Sequence, residues 1–313
     1  MKWICLRRQC NYLPADQRSA FLEGAKLTKE PLRAIGRNTR VSLRRDFKAN
    51  VNILFKLTSM KEYNTSNSPH VKVFSSANPE YETAFRTFLA CTDQKTKAME
   101  FLDERVGLLP RKNTFVDMGA GNGKLTGHFT DSFQRSIAIE PNAALARELA
   151  TRCPGVKILE CSLDEAMVEN AADFVLCSHV FYYLPQSNWL RSVEKMADWL
   201  GGDGLLAIAL QNPGTDCMKM FRHFVGGRFD LAGLSAEFSA RHTRFRTELV
   251  TVPATIRTVS VEEACAIAEF MLNLLPLSAP PLRADLECYV QSKFDRGAVF
   301  QFSCDQDFLL VHA

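Results

Sequence analysis

The chain has 313 residues, 46% of them hydrophobic and 23% charged, with a formal net charge of +3. That balance excludes a low-complexity or strongly charged unfolded chain and leaves room for one core of about 230 to 250 residues plus an extension. No apolar run reaches the roughly 18 residues needed to cross a bilayer, and the ten cysteines lack paired spacing, so reduced thiols in a cytosolic protein are expected rather than a disulfide scaffold. No C-x-x-C, H-E-x-x-H or EF-hand loop occurs, so no metal site is indicated.

Charge is uneven along the chain. Residues 1–61 hold 14 Lys and Arg against 4 acids, and the rest is mildly acidic. Residues 1–62 therefore read as a basic extension: loosely ordered, a mitochondrial transit segment, or an arm for nucleic acid or an acidic surface. Residues 63–80 are rich in Ser, Asn and Pro and read as a linker. Residues 81–106 repeat apolar side chains at helical spacing (Phe85, Phe88, Leu89, then Met99, Phe101, Leu102), with Thr92 as an N-cap between two helices.

The next stretch, TFVDMGAGNGKLTGHF from Thr114 to Phe129, is an apolar run that stops at alternating glycines and restarts with helical spacing. It reads as strand, tight turn, helix. Glycine is needed where a turn takes positive φ or a ligand approaches the backbone, and the following helix start offers unpaired N–H groups. The spacing is G-x-G-x-G with Asp117 two residues ahead of Gly119, not the G-x-G-x-x-G of dinucleotide folds. It resembles motif I of class I S-adenosylmethionine-dependent methyltransferases. The second strand, RSIAIEPN, ends in Glu140, 17 residues beyond Gly123, and an acid at such a strand tip accepts ribose hydroxyls.

Beyond Glu140 the order continues as helix NAALARELATRC, strand VKILEC, short helix SLDEAM, strand ADFVLCSHVF, helix QSNWLRSVEKMADWL and strand GLLAIALQ. Such alternation predicts a parallel sheet with helices on both faces and ligands at the C-terminal strand ends. Ser162 is placed to border the adenine, or to cap a helix. After the fourth strand, CSHVFYYLP brings Ser178, His179, Tyr182 and Tyr183 together. In the functional reading Ser178 and His179 face the transferable methyl, and the two tyrosines wall the sulfonium and the acceptor, a cation–π contact worth about 0.5 to 2 kcal/mol. In the bland reading they are core aromatics and a satisfied polar residue.

YETAFRTFLACTDQKTKAMEFLDE, HVFYYLP, GGRF and SAPPLRADL occur in the order and near the spacing of histamine N-methyltransferases, so residues 81–313 resemble that family and the basic extension does not. The resemblance implies a monomeric cytosolic enzyme with a Rossmann-like, seven-stranded, mostly parallel sheet and a small substrate-binding lid built from residues 81–106 and insertions at about 212–285. It implies S-adenosyl-L-methionine as cofactor, held by Asp117, Gly119, Gly121, Glu140, Ser162 and Ser178. Catalytic roles fall to His179, Tyr182 and Tyr183, and acceptor contacts to Gln94, His179, Tyr183, Phe270 and Cys304. Three of these depart from the family: Gln94 stands for its glutamate, with Asp93 adjacent, His179 for its glutamine and Cys304, followed by Asp305, for its asparagine. The expected partner is a small-molecule nitrogen acceptor, an imidazole or amine, with His179, Asp305 or water taking the proton. Alternatives are a small-molecule O-methyltransferase, a nucleic-acid methyltransferase, or a catalytically dead cofactor sensor. The basic residues lie mainly in the extension and no N/D-P-P-Y/F motif occurs, which argues against nucleic acid.

Overall fold

A computed structural model of the chain describes residues 68–74, 79–168, 171–275 and 277–313. The basic extension and half of the linker, residues 63–67 and 75–78, lie outside the described residues. Two helices come first, α1 (Pro79–Cys91) and α2 (Gln94–Gly107). The sheet unit then runs β1 (Thr114–Met118), α3 (Lys124–Phe129), β2 (Arg135–Ile139), α4 (Ala143–Arg152), β3 (Lys157–Leu159), β4 (Ala172–Ser178), α5 (Trp189–Ala197) and β5 (Leu200–Gln211). It is followed by α6 (Asp216–Phe224), α7 (Leu231–Arg241), β6 (Arg246–Val252), β7 (Thr255–Thr258), α8 (Val261–Leu272), α9 (Arg283–Phe294), β8 (Phe300–Ser303) and β9 (Gln306–His312).

Seven strands form one sheet in the order β3-β2-β1-β4-β5-β9-β6, and β7 pairs with β8 in a separate ribbon. Strands β1 to β5 run parallel, whereas β9 is antiparallel to both β5 and β6. This is the seven-stranded, mostly parallel arrangement the resemblance implies. Chain order reverses between β1 and β4, the place where an open α/β sheet leaves a crevice at its strand ends.

Period-two alternation divides the core between the two faces. Val116, Met118, Val175, Cys177, Leu206 and Ile208 pack on one side. Phe115, Phe174, Leu176 and Phe308 pack on the other, where Phe174 stacks on Phe115 at 5.3 Å and meets Phe129 at 5.7 Å and Phe133 at 6.1 Å. Asp173, one residue earlier, accepts from the amides of Asn113 (2.7 Å) and Thr114 (2.9 Å) and so fixes the entry to β1.

Several elements differ in extent from the sequence expectation. SLDEAM is a turn rather than a helix. QSNWLRSVEKMADWL begins as a 3-10 turn over Gln186–Asn188 and is α-helical over Trp189–Ala197, and its end, from Leu200, opens β5. Residues 69–74, placed in the linker by composition, are fastened to the later chain. The Val71 amide donates to the Pro281 carbonyl (2.9 Å), the Arg283 amide donates to the Pro69 carbonyl (2.8 Å), and Val71 is buried. The stretch SAPPLRADL is thus the seat of an incoming strap.

Phe174→Ala should lower unfolding free energy by about 3 to 5 kcal/mol, the range for a large buried aromatic, in urea titration. Leu108→Ala, at a side chain 77% exposed, should shift it by no more than about 0.5 kcal/mol.

Candidate functional site

The loop after β1 is built from three left-handed glycines: Gly119 (φ 75°), Gly121 (φ 57°) and Gly123 (φ 79°). They do different things. A Cβ on Gly119 would lie 2.2 Å from Val180 Cγ2, so that glycine lets the loop close on the segment after β4. A Cβ on Gly121 would meet nothing within 4 Å. Gly121 therefore keeps open space at the strand ends rather than relieving a packed contact.

Glu140, at the tip of β2, is 6% exposed. Its Oε2 accepts from the Gly121 amide and its Oε1 from the Asn142 amide, both at 2.8 Å. A carboxylate oxygen has two lone-pair directions, so each oxygen keeps one for a further donor, as two ribose hydroxyls require. Open space at Gly121 beside a backbone-anchored carboxylate is what an adenosyl cofactor needs, and the residues fit it. Asp117 is buried beneath the loop and accepts from the Thr126 hydroxyl at 2.7 Å. Burial raises its carboxyl to about 7; the Thr126 bond opposes this and nearby Glu140 adds to it. Asp117 is therefore an internal brace of the loop. Ser162 is half-buried and, through both amide and hydroxyl, bonds Glu165 (3.0 and 2.9 Å). Ser178 ends β4, opposite Ala209 of β5.

His179 follows at φ 59°, a conformation that costs a non-glycine residue about 1 to 2 kcal/mol, and its amide is held by the Ala209 carbonyl (2.9 Å). Its ring closes a chain of bonds. The Gln211 amide donates to the Tyr182 hydroxyl (2.7 Å), which lies 3.2 Å from His179 Nδ1; His179 Nε2 lies 2.9 Å from Gln306 Oε1; Gln306 Nε2 donates to the Gln94 carbonyl (3.0 Å); and Gln94 Nε2 donates to the Cys304 carbonyl (2.8 Å). An amide oxygen only accepts, so Nε2 carries the imidazole proton and Nδ1 accepts from Tyr182. Burial, with the charge of Lys95 adding to it, lowers His179 to about 4 against the raising effect of the Gln306 bond. The ring is neutral at pH 7, and both nitrogens are engaged.

The other expected acceptor residues separate into two groups. Gln94 (4% exposed) and Cys304 lie in the buried network, with Cys304 Sγ 3.3 Å from the Thr92 hydroxyl and its thiol pushed up by burial to about 12. Tyr182 is buried against Phe229 (4.7 Å) and spends its hydroxyl on the network, so it is not an open wall. By contrast Tyr183 is 64% exposed and bonds Tyr81 through its hydroxyl. Tyr81 and Phe85 pack on Phe270 of α8 at 5.5 and 5.6 Å, and Phe88 packs on it at 5.6 Å. Tyr183 and Phe270 thus belong to one aromatic cluster carried by α1, α8 and the turn after β4.

Sequence reading missed four participants. Gln306 lies on β9, which it did not assign. Gln211 enters through its backbone amide, which no motif can signal. Tyr81 and Lys95 stood inside the quoted helical stretch, and only their apolar neighbours drew notice. Lys95 Nζ stands 5.2 Å from the Phe85 ring centroid. Thr92 and Asp93 clip the α1–α2 junction to β7: the Thr92 hydroxyl donates to the Thr255 carbonyl (3.2 Å), and Asp93 Oδ1 accepts from the Thr255 amide (2.7 Å).

Two outcomes follow from these bonds. The Asp117 carboxyl is raised in the folded chain above its unfolded value near 4. Its stabilising share is therefore full below that value and is lost as pH rises through about 7. Asp117→Asn should gain stability relative to wild type as pH goes from 4.5 to 8 in paired urea titrations; a constant difference would show an unshifted carboxyl. Gln94→Glu should act first on the fold, because it exchanges a donor for an oxygen facing the Cys304 carbonyl. A loss of about 1 to 3 kcal/mol is expected, seen as a lower melting temperature.

A family model described as a methyltransferase domain matches residues 92–248, half of the chain. A curated relative, an uncharacterized methyltransferase of Exiguobacterium sibiricum, is 26% identical over 133 residues, 42% of this chain. The chain spans 56% of that relative's length. Among solved structures, the YcgJ protein of Bacillus subtilis aligns with a TM-score of 0.49 at 12% identity over 67% of this chain and 97% of its own. The N-methyltransferase NodS of Bradyrhizobium japonicum aligns with a TM-score of 0.41 at 9% identity over 76% of this chain and 98% of its own. By the matched family model, the chain belongs to the S-adenosyl-L-methionine-dependent methyltransferase domains.

Proposed function

We propose that the protein transfers a methyl group to a small-molecule nitrogen acceptor, an imidazole or an amine in its neutral form. The observation that carries this reading is the pairing of the Glu140–Gly121 cradle with an aromatic cluster reached from the same strand ends. S-adenosylmethionine supplies an electrophilic methyl on a sulfonium. The chain's task is then to hold and orient, and positioning alone accounts for a large share of such rate enhancements.

Glu140 fixes the ribose end through its two remaining lone-pair directions. Tyr183, with its exposed ring, and Tyr81 and Phe85 beside it offer π faces suited to a cationic centre and a flat acceptor. His179 acts as a positioning residue. Its neutral ring, locked between Tyr182 and Gln306, ties the ends of β4, β5 and β9 to α2, so the turn carrying Tyr183 has one geometry. With both nitrogens engaged and its basicity depressed, His179 leaves the acceptor's outgoing proton to Asp305 or water. The resemblance to histamine N-methyltransferases supports a nitrogen acceptor, while the replacements at Gln94, His179 and Cys304 support a different member of that substrate class.

Incubating the full chain with labelled S-adenosylmethionine and a panel of imidazole, amine and phenol metabolites should label an imidazole or amine; label on phenols alone would overturn the nitrogen assignment. Glu140→Ala should weaken S-adenosylhomocysteine binding by about 1.5 to 3 kcal/mol, the range for charged hydrogen bonds. Gly121→Val should block it by filling the open space. Unchanged calorimetric affinity in both variants would sink the cradle.

A further inference from the structure

The side chain of Gln211 is left over from the network around His179. Gln211 closes β5 and is 3% exposed. Its backbone amide is spent on the Tyr182 hydroxyl, but its side-chain Oε1 is buried without a hydrogen-bond partner among the described residues. Its Nε2 donates to the sulfur of Met271 on α8 at 3.3 Å. Hydrogen bonding favours that orientation, because a thioether accepts weakly and an amide oxygen has nothing to donate to it. Gln306, in register opposite Gln211, uses both ends of its amide. Gln211 uses only the nitrogen.

A buried acceptor left without a donor is a net cost to the fold. Four other buried side-chain atoms lack partners among the described residues, on Arg105, Ser136, Glu269 and His312, and none of these residues ends a parallel strand. Gln211 does, and ligands enter an open α/β sheet at those ends. It is bonded on one side to Tyr182, next in the chain to Tyr183, and on the other to α8, where Met271 follows Phe270 of the aromatic cluster. The free oxygen therefore belongs to the acceptor side of the crevice.

We propose that Gln211 determines acceptor specificity: its side-chain oxygen receives a hydrogen bond from an N–H that the acceptor carries beside its reacting nitrogen. The inference rests on the nitrogen-acceptor reading and narrows it to a neutral azole ring, with hydrogen on one nitrogen and a lone pair on another. An alkylamine is mostly protonated at pH 7, and His179, with both nitrogens engaged, cannot take that proton; an imidazole is mostly neutral there. In the transfer the ring lone pair forms the N–CH3 bond while the electron pair of the S–CH3 bond stays on sulfur. The ring becomes cationic, its N–H becomes a stronger donor, and the bond to Gln211 strengthens as the methyl moves. Once that proton has passed to water, the product has no N–H. Gln211 then faces a lone pair instead of a donor, which favours release and leaves one methyl on each ring.

The test measures transfer of labelled methyl from S-adenosylmethionine to 4-methylimidazole and to 1,5-dimethylimidazole, which keeps a free ring nitrogen but has no N–H. Neither probe has a charged tail. For wild type, kcat/KM for 4-methylimidazole should exceed that for 1,5-dimethylimidazole by about tenfold to a hundredfold, the range for a buried acceptor deprived of its donor. Gln211→Met, an apolar side chain of similar length, should close that gap by lowering turnover of 4-methylimidazole. Its S-adenosylhomocysteine affinity should be unchanged and its melting temperature no lower than that of wild type. Equal wild-type efficiencies, or a gap that Gln211→Met leaves intact, would overturn the role of Gln211 and leave the nitrogen reading standing. Label on neither ring would overturn it too, and the metabolite panel then shows whether the nitrogen reading falls with it. If Gln211→Met fails to fold, the wild-type ratio alone decides.

Discussion

The close approach of Gly119 to Val180 is the constraint on which the site depends. A side chain at Gly119 would overlap Val180 at 2.2 Å, so the loop after β1 and the segment after β4 nest at the place where strand order reverses. The Gly119 and Ala120 amides both donate to the Ile139 carbonyl (2.8 and 3.2 Å), which draws the end of β2 into the same knot. Three strand tips are thereby fixed relative to one another. Glu140 comes from one, the open backbone at Gly121 from the second, and His179 with Tyr183 from the third.

The network through His179 extends that rigidity across the sheet. Gln211 and Gln306 face each other in register on β5 and β9, and the ring of His179 reaches both through Tyr182 and through Gln306 itself. Each link in this chain has its partner, although the side-chain oxygen of Gln211 is buried without one, and paired groups of this kind hold a buried polar network in one arrangement. Its far end, Gln94, begins the helix that carries Lys95. The pose of α2 is therefore coupled to the antiparallel strand β9.

Charge divides the crevice. Carboxyl groups at Asp117 and Glu140 lie on the β1–β2 side, and the neutral imidazole of His179 follows the end of β4. Aromatic faces next to Lys95 add a surface that tolerates either a flat ring or a positive centre.

The local parts of this account were legible in the sequence because their causes are local. Glycines at alternate positions dictate the turn, and short apolar runs mark β1, β2, β4 and β5. The spacing from Gly123 to Glu140 is the length of one strand-to-strand passage. What tertiary structure decided depends on residues far apart in the chain. Gly119 and Gly121 look alike in the motif, and only the position of Val180 shows that one serves packing and the other an open cleft. The strand β9, QDFLLVH, is an ordinary apolar run until it slots between β5 and β6 and brings Gln306 to His179. Gln94 matches a pocket residue by resemblance, yet its amide is spent on a carbonyl 210 residues away. Lys95 reads as a solvated helix charge until its ammonium is found 5.2 Å from the Phe85 ring centroid. Sequence fixes which groups a segment offers, while burial and partner geometry set their charge and accessibility, and both come from contacts that no local pattern records.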